Sequence, residues 1–143
     1  MKGEMWGDNP WTLDILTQVT AREAYEKAGV GPRDFSLVQV HDATANEELE
    51  YYEALGLCAP GEGDKLVLEG DVGPGGRMPV NTDGGLISRG HPLGPTGIAQ
   101  TWETVLQLRG QAGARQVPDA RLGLIQMIGA GAVCFITILE RMS

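Results

Sequence analysis

The chain carries two histidines, His41 and His91, and each stands where an imidazole could do acid–base work near neutral pH. His91 lies in Gly90-His91-Pro92-Leu93-Gly94, where Gly90 and Pro92 fix the backbone on both sides. An imidazole held that way can act as a base or a hydrogen-bond donor. His41 opens His41-Asp42-Ala43-Thr44 at the end of an alternating apolar segment. There a strand meets a helix N-terminus, whose positive end favours neutral imidazole over imidazolium. A third candidate is Gly129 in Gly129-Ala130-Gly131, where a glycine turn can direct amide N–H groups at a developing oxyanion, as acyl transfer requires. Each feature has a plainer counterpart. A lone histidine before a helix is more often structural, and glycines between apolar segments more often make a tight strand turn.

The elements that must position these residues follow from periodicity. Asn9-Pro10 precedes a helix predicted over Trp11–Ala28, with Leu13, Leu16, Ala24 and Ala28 near helical spacing and Gly29 as the stop. Ser36–Val40 alternates and is β-branched toward its end, so it reads as the strand that delivers His41. Thr44 with Glu47 has capping-box spacing, and Leu49, Tyr52 and Leu55 extend a helix over Ala45–Leu55. Residues 58–90 are dense in Gly, Pro and Asp and read mostly as loop, with Lys65–Glu69 the one short candidate for regular structure. Thr96 opens a helix ending at Gly110, and the apolar strands Leu122–Met127 and Ala132–Leu139 can close as a hairpin. The expected fold is an α/β layered domain.

At 143 residues one domain is expected. The net charge of -8 argues against a nucleic-acid surface, which needs clustered Lys and Arg. Cys58 and Cys134 have neither metal-ligand spacing nor a disulfide framework, and they suit a reducing cytoplasm. Cys134, inside an apolar strand, reads as a small core residue, and Cys58 as structural. No signal peptide and no membrane-spanning run stands out, so a soluble cytoplasmic protein is expected.

The strings VHDATANEELEYYEALGLC and NTDGGLISRGHPLGPTGIAQ resemble the C-terminal signature segments of sterol-carrier-type thiolases, in the lipid-transfer branch of the thiolase superfamily. The resemblance covers nearly everything from Ala21 onward, including KAGVGPRDF and QLRGQAGARQVP. Residues 1–20 are less diagnostic and are set apart as an N-terminal segment, leaving 21–143 as the thiolase-like domain. The implied fold is a thiolase C-terminal half-domain, with a mixed sheet packed by helices, taken from a five-layer enzyme built of two similar halves.

Carried over position by position, the resemblance makes His91 the histidine that activates a nucleophilic cysteine and helps hold the thioester oxygen. His41 matches the first position of a His-Asp-Cys-Phe motif, where other thiolases hold an oxyanion-hole water with asparagine. Gly129 matches a glycine whose N–H serves a second oxyanion hole. Two departures matter: Ala43 replaces the motif's cysteine, and Met127 falls where an acid/base cysteine stands in other thiolases. Neither side chain can shuttle a proton.

The implied nucleophile belongs to an N-terminal half absent from this sequence, so a partner half or subunit is expected. So is oligomer formation, while the resemblance leaves open a zinc-ribbon and nucleotide-fold-like partner of the kind that accompanies several relatives. The substrate implied is an acyl-CoA thioester, with no separate cofactor and no metal. Claisen-type acyl transfer or thiolysis ranks ahead of two alternatives, a subunit of an acyl-CoA retro-aldolase and a non-catalytic acyl-CoA or lipid-binding module. The retro-aldol branch uses tyrosines where His41 and His91 stand.

Overall fold

The structure, a computed structural model, describes residues 13–129 and 133–142. Trp11, expected to begin the first helix, Ala130 and Gly131 of the glycine turn, and Ala132 of the last strand lie outside them.

In chain order come α1 (Leu13–Ala28), β1 (Leu37–Gln39), α2 (Ala45–Ala54), α3 (Gly63–Leu68), α4 (Gly85–Arg89), α5 (Thr96–Leu108), a 3-10 turn at Gly113–Arg115, β2 (Leu122–Gly129) and β3 (Val133–Glu140). The sheet runs β1-β2-β3, with β1 parallel and β3 antiparallel to β2. It is therefore the expected mixed sheet, closed at its C-terminal end by the expected hairpin. A parallel pair needs a long crossover, and here residues 40–121 supply it. Because β1 and β2 run the same way, both of their C-terminal ends open on one edge of the sheet.

Helix α5 approaches the sheet closely because Gly123 on β2 has no side chain: a Cβ there would stand 2.5 Å from Thr104 Cγ2. The main core gathers Val38, Val40, Tyr51, Tyr52, Leu55 and Leu124, all at most 2% exposed. Each such side chain contributes roughly 1.5–3 kcal/mol by leaving water.

The 58–90 segment is mostly loop, as expected, but it holds two short helices where one was expected, α3 from Gly63 and also α4, and Val80 bridges Val38 alongside β1. That bridge is held by Val38 N–H to the Pro79 carbonyl (3.0 Å) and Asn81 N–H to the Val38 carbonyl (2.9 Å). These partners are distant in sequence, which local periodicity cannot register. Helix α1 buries Thr17, whose hydroxyl accepts from Gln126 of β2 (3.2 Å), and Ala21, with Leu16 and Ala24 half-buried and Ala28 exposed. Finally, β1 is shorter than Ser36–Val40. Ser36 uses its Oγ to accept from Arg121 N–H (3.0 Å), and Val40 N–H turns to the Asn81 side chain.

Candidate active site

His41 leaves β1 with its backbone held from three sides by buried amides. Val40 N–H donates to Asn81 Oδ1 (2.9 Å), and the Val40 carbonyl accepts from Gln100 Nε2 (3.0 Å). His41 N–H donates to Gln126 Oε1 (2.8 Å). Gln100 and Gln126 are fully buried, and Gln100 Nε2 also reaches the Gln126 carbonyl (3.1 Å), so α5, β1 and β2 are laced together directly under the histidine. Asn81 holds its place with φ 47°, in the left-handed region that few residues other than glycine tolerate.

The His41 ring is buried, with Nδ1 3.2 Å from Met127 Sδ. A thioether can only accept, so Nδ1 carries the proton in this contact and Nε2 keeps its lone pair. Burial lowers the His41 pKa to about 4, with the charges of His91 and Arg89 acting in the same direction. Neutral imidazole was expected here on the strength of a helix N-terminus. The neutral form stands, with desolvation by burial as its largest cause.

A histidine whose folded pKa is depressed adds stability in full above its unfolded value of about 6.5, and that stability drains away as pH falls through about 4. Burial raises Asp42 and Glu48 above the usual carboxylate range, so their protonation favours the fold and opposes the loss at the bottom of the window. The melting temperature should therefore decline between pH 6.5 and 4, and His41→Gln should flatten that decline. Equal slopes in both chains would contradict it.

His91 reaches the same place by another route. The loop carrying Asp42 caps α4, because the Asp42 carboxylate accepts from Leu86 N–H (2.7 Å) and more weakly from Ile87 N–H (3.4 Å). A Cβ at Gly85 would run into that carboxylate, and φ at Gly85 is +65°, so glycine is required there twice over. Helix α4 ends at Gly90 and the chain turns into His91. His91 Nδ1 lies 2.8 Å from Thr96 Oγ1, and that hydroxyl donates to the Pro92 carbonyl (2.8 Å). Since the single hydroxyl proton is already committed, Nδ1 of His91 must supply the one between them, so the neutral ring has Nε2 as its acceptor.

The two rings meet edge to face, with centroids 4.7 Å apart and planes at 87°. His91 is exposed, whereas His41 is buried beneath it. In their neutral forms the two rings offer unprotonated Nε2 atoms, suited to taking a proton from a nucleophile or a substrate carbon. An imidazole that has taken one becomes a donor for developing negative charge.

Gly129 is the last residue of β2, two positions beyond Met127, at the same sheet edge as His41. It pairs with Val133. Cys134 is half-buried on β3 against the main core, 3.8 Å from the Thr17 hydroxyl, and burial raises its pKa. Cys58 is also half-buried against that core, with a raised pKa. Neither has the lowered pKa of an activated thiol.

The residue types at His41, His91 and Gly129 were visible in the sequence, but the roles of the residues that hold the two histidines were not. Asp42, Asn81, Thr96, Gln100 and Gln126 make the connections. A polar Gln126 inside the apolar run Leu122–Ile128 was the one available signal. Among the described residues, no group of three or more His, Cys, Asp or Glu could hold a metal, and no helix is long and apolar enough to cross a membrane.

The chain is similar to known proteins over most of its length. It belongs to the family described as thiolase C-terminal domain-like, whose match spans residues 7–141. Sterol carrier protein 2 of Rattus norvegicus is 48% identical over 123 residues, covering 86% of this chain and 22% of that protein. Benzoylsuccinyl-CoA thiolase subunit BbsB of Thauera aromatica is 43% identical over 121 residues, covering 84% of this chain and 31% of its own length. Among solved structures, the Ltp2-ChsH2(DUF35) aldolase superposes with a TM-score of 0.76 at 27% identity, covering 87% of this chain and 31% of that one. The chain thus spans between about a fifth and a third of these relatives' lengths.

Proposed function

We propose that this chain is the C-terminal half, or a subunit, of a thiolase-type enzyme that acts on acyl-CoA thioesters by Claisen-type acyl transfer or thiolytic cleavage. The observation that carries the reading is the His41–His91 pair, in edge-to-face contact with both Nδ1 atoms engaged and both Nε2 atoms left as acceptors. An N-terminal half supplies the nucleophilic cysteine. His91 Nε2 takes the proton from that thiol, the thiolate attacks the thioester carbonyl carbon, and the carbon–sulfur bond to coenzyme A breaks as the CoA sulfur takes that proton from His91. In thiolysis the thiolate attacks the 3-keto carbonyl of a 3-ketoacyl-CoA instead, and the C2–C3 bond breaks with the proton going to C2. The Gly129 N–H is assigned to the oxyanion. No cofactor beyond the coenzyme A of the substrate is required.

The missing thiols at Ala43 and Met127 and the aldolase among the structural relatives favour a second reading, a subunit of an acyl-CoA retro-aldolase. Relatives named as a thiolase subunit and an acetyl-CoA acetyltransferase keep acyl transfer ahead. Association with a further subunit of zinc-ribbon and nucleotide-fold-like type, in a cytoplasmic setting, belongs to the same proposal.

Exposed apolar side chains mark where another chain would pack: Ile98 and Trp102 lie one turn apart on α5, at 72% and 63% exposure, and Phe135 of β3 is 61% exposed. Single exposed apolar residues are ordinary, but a helix stripe of this kind beside a site is typical of an interface. Light scattering on the chain alone and mixed with a thiolase N-terminal half, followed by acyl-CoA thiolysis on the same samples, tests the proposal. Larger particles with turnover only in the mixture are expected. A strictly monomeric chain that binds acyl-CoA, with no turnover in the mixture, would instead make it a binding module.

A further inference from the structure

We infer that Asp42 is the positioning residue that locks the His41 loop to the His91 loop, so that the two imidazoles act as one unit. It rests on the reading of these histidines as the working pair. Asp42 is only 2% exposed, directly follows His41 in the chain, and is spent on the backbone of α4, the element that ends at Gly90 and hands the chain to His91. Its carboxylate takes the Leu86 and Ile87 N–H groups at 2.7 and 3.4 Å, in the space that Gly85 keeps clear. Helix α4 is five residues long. A helix that short does not hold itself together in water, so its position depends on what grips it.

The grip is electrostatic as well as geometric. Arg89, at the end of α4, pairs with Asp83 at 2.7 Å and acts on both Asp42 and His41. The other charged and titratable groups facing Asp42 are Glu48 and Tyr52 of α2, themselves joined at 2.6 Å. Those facing His41 are His91 and Arg89, with the Met127 thioether on its remaining side. A carboxylate already surrounded by Glu48, Tyr52 and apolar packing costs free energy to bury. Burial indeed raises the Asp42 pKa, against the lowering effect of its backbone partners and Arg89. An acid kept in so unfavourable a place, with its accepting oxygens turned to α4, is explained by what it holds.

Imidazole NMR tests this without requiring turnover, so its failure and failure of the proposed enzyme activity are separable. The chain has two histidines, and every ring signal is assignable to one of them. In the unaltered chain, the through-space contact between the rings and a His41 titration midpoint near 4 are expected. The Leu86 amide proton should shift in step with the Asp42 carboxyl resonance as that group titrates. In Asp42→Ala the ring contact should vanish and the His41 midpoint rise toward 6.5, because burial and the His91 and Arg89 charges act on His41 only while the loops are tied. Asp42→Asn, which keeps one oxygen for Leu86 N–H, should retain the contact. Gly85→Ala breaks the same tie from the α4 side and should reproduce the alanine result. Folded Asp42→Ala or Gly85→Ala chains with an unchanged ring contact and midpoint would overturn the inference. A Leu86 amide indifferent to Asp42 titration in the unaltered chain would overturn it even if neither variant folds.

Discussion

Replacing His91 by alanine, in a reconstituted assembly with a thiolase N-terminal half, is expected to lower kcat/KM by at least about 10²-fold, the low end for removing a positioned acid or base. Two features make His91 the larger loss of the pair. Its ring is exposed, while His41 lies buried beneath it, so His91 is the one that meets an incoming thiol. The Thr96 hydroxyl also fixes its tautomer, leaving Nε2 ready to accept. The effect should fall mainly on kcat, since the imidazole is asked to move a proton rather than to hold the acyl chain. Cys134→Ala is the matched control. That thiol is packed against the core with a raised pKa, and turnover should be unchanged without it. Full activity in His91→Ala, or lost activity in a folded and assembled Cys134→Ala, would reverse the assignment.

The second large effect is on stability. Gln100→Leu is nearly volume-conserving, yet it removes one amide that serves two buried carbonyls, those of Val40 and Gln126, at 3.0 and 3.1 Å. Leaving a buried polar group unpaired costs about 1–3 kcal/mol. With two such groups involved and some local relaxation, a loss on the order of 2–4 kcal/mol is expected, read from the urea midpoint at unchanged slope. Because these carbonyls lie on either side of His41 N–H, the same variant should broaden the His41 ring signals. A midpoint within error of the parent chain would show that the amide lattice under the site does not carry the load described.

What was legible in the sequence divides by the range of the interactions that make each element. Helices α2 and α5 and the β2–β3 hairpin were readable because their signals are local. Thr44 N–H donates to Glu47 Oε2 at 2.9 Å as the capping spacing implied, and Gly110 takes a positive φ of 68° after α5. Helix α4 and the Val80 bridge were not, since Asp42 and Val38 hold them from more than forty positions away. The site followed the same division. His41, His91 and Gly129 declared themselves by residue type, by flanking glycine and proline, and by resemblance to a family. Asp42, Asn81, Gln100 and Gln126 act through partners that only the fold brings close. Thr17 on α1 shows the converse: a polar residue in an apolar register is buried, its hydroxyl accepting from Gln126.

The measurement that bears most directly on a thiolase-type role is intact-mass detection of the acyl group on the N-terminal half's cysteine, in rapid-quench samples with an acyl-CoA substrate. Claisen-type acyl transfer predicts that the mass of that half rises by one acyl group within a turnover when this chain is present, and far more slowly with His91→Ala. Turnover with no acylated cysteine would assign the chain to retro-aldol chemistry, and acylation at equal rates with and without His91 would contradict the role given to this half.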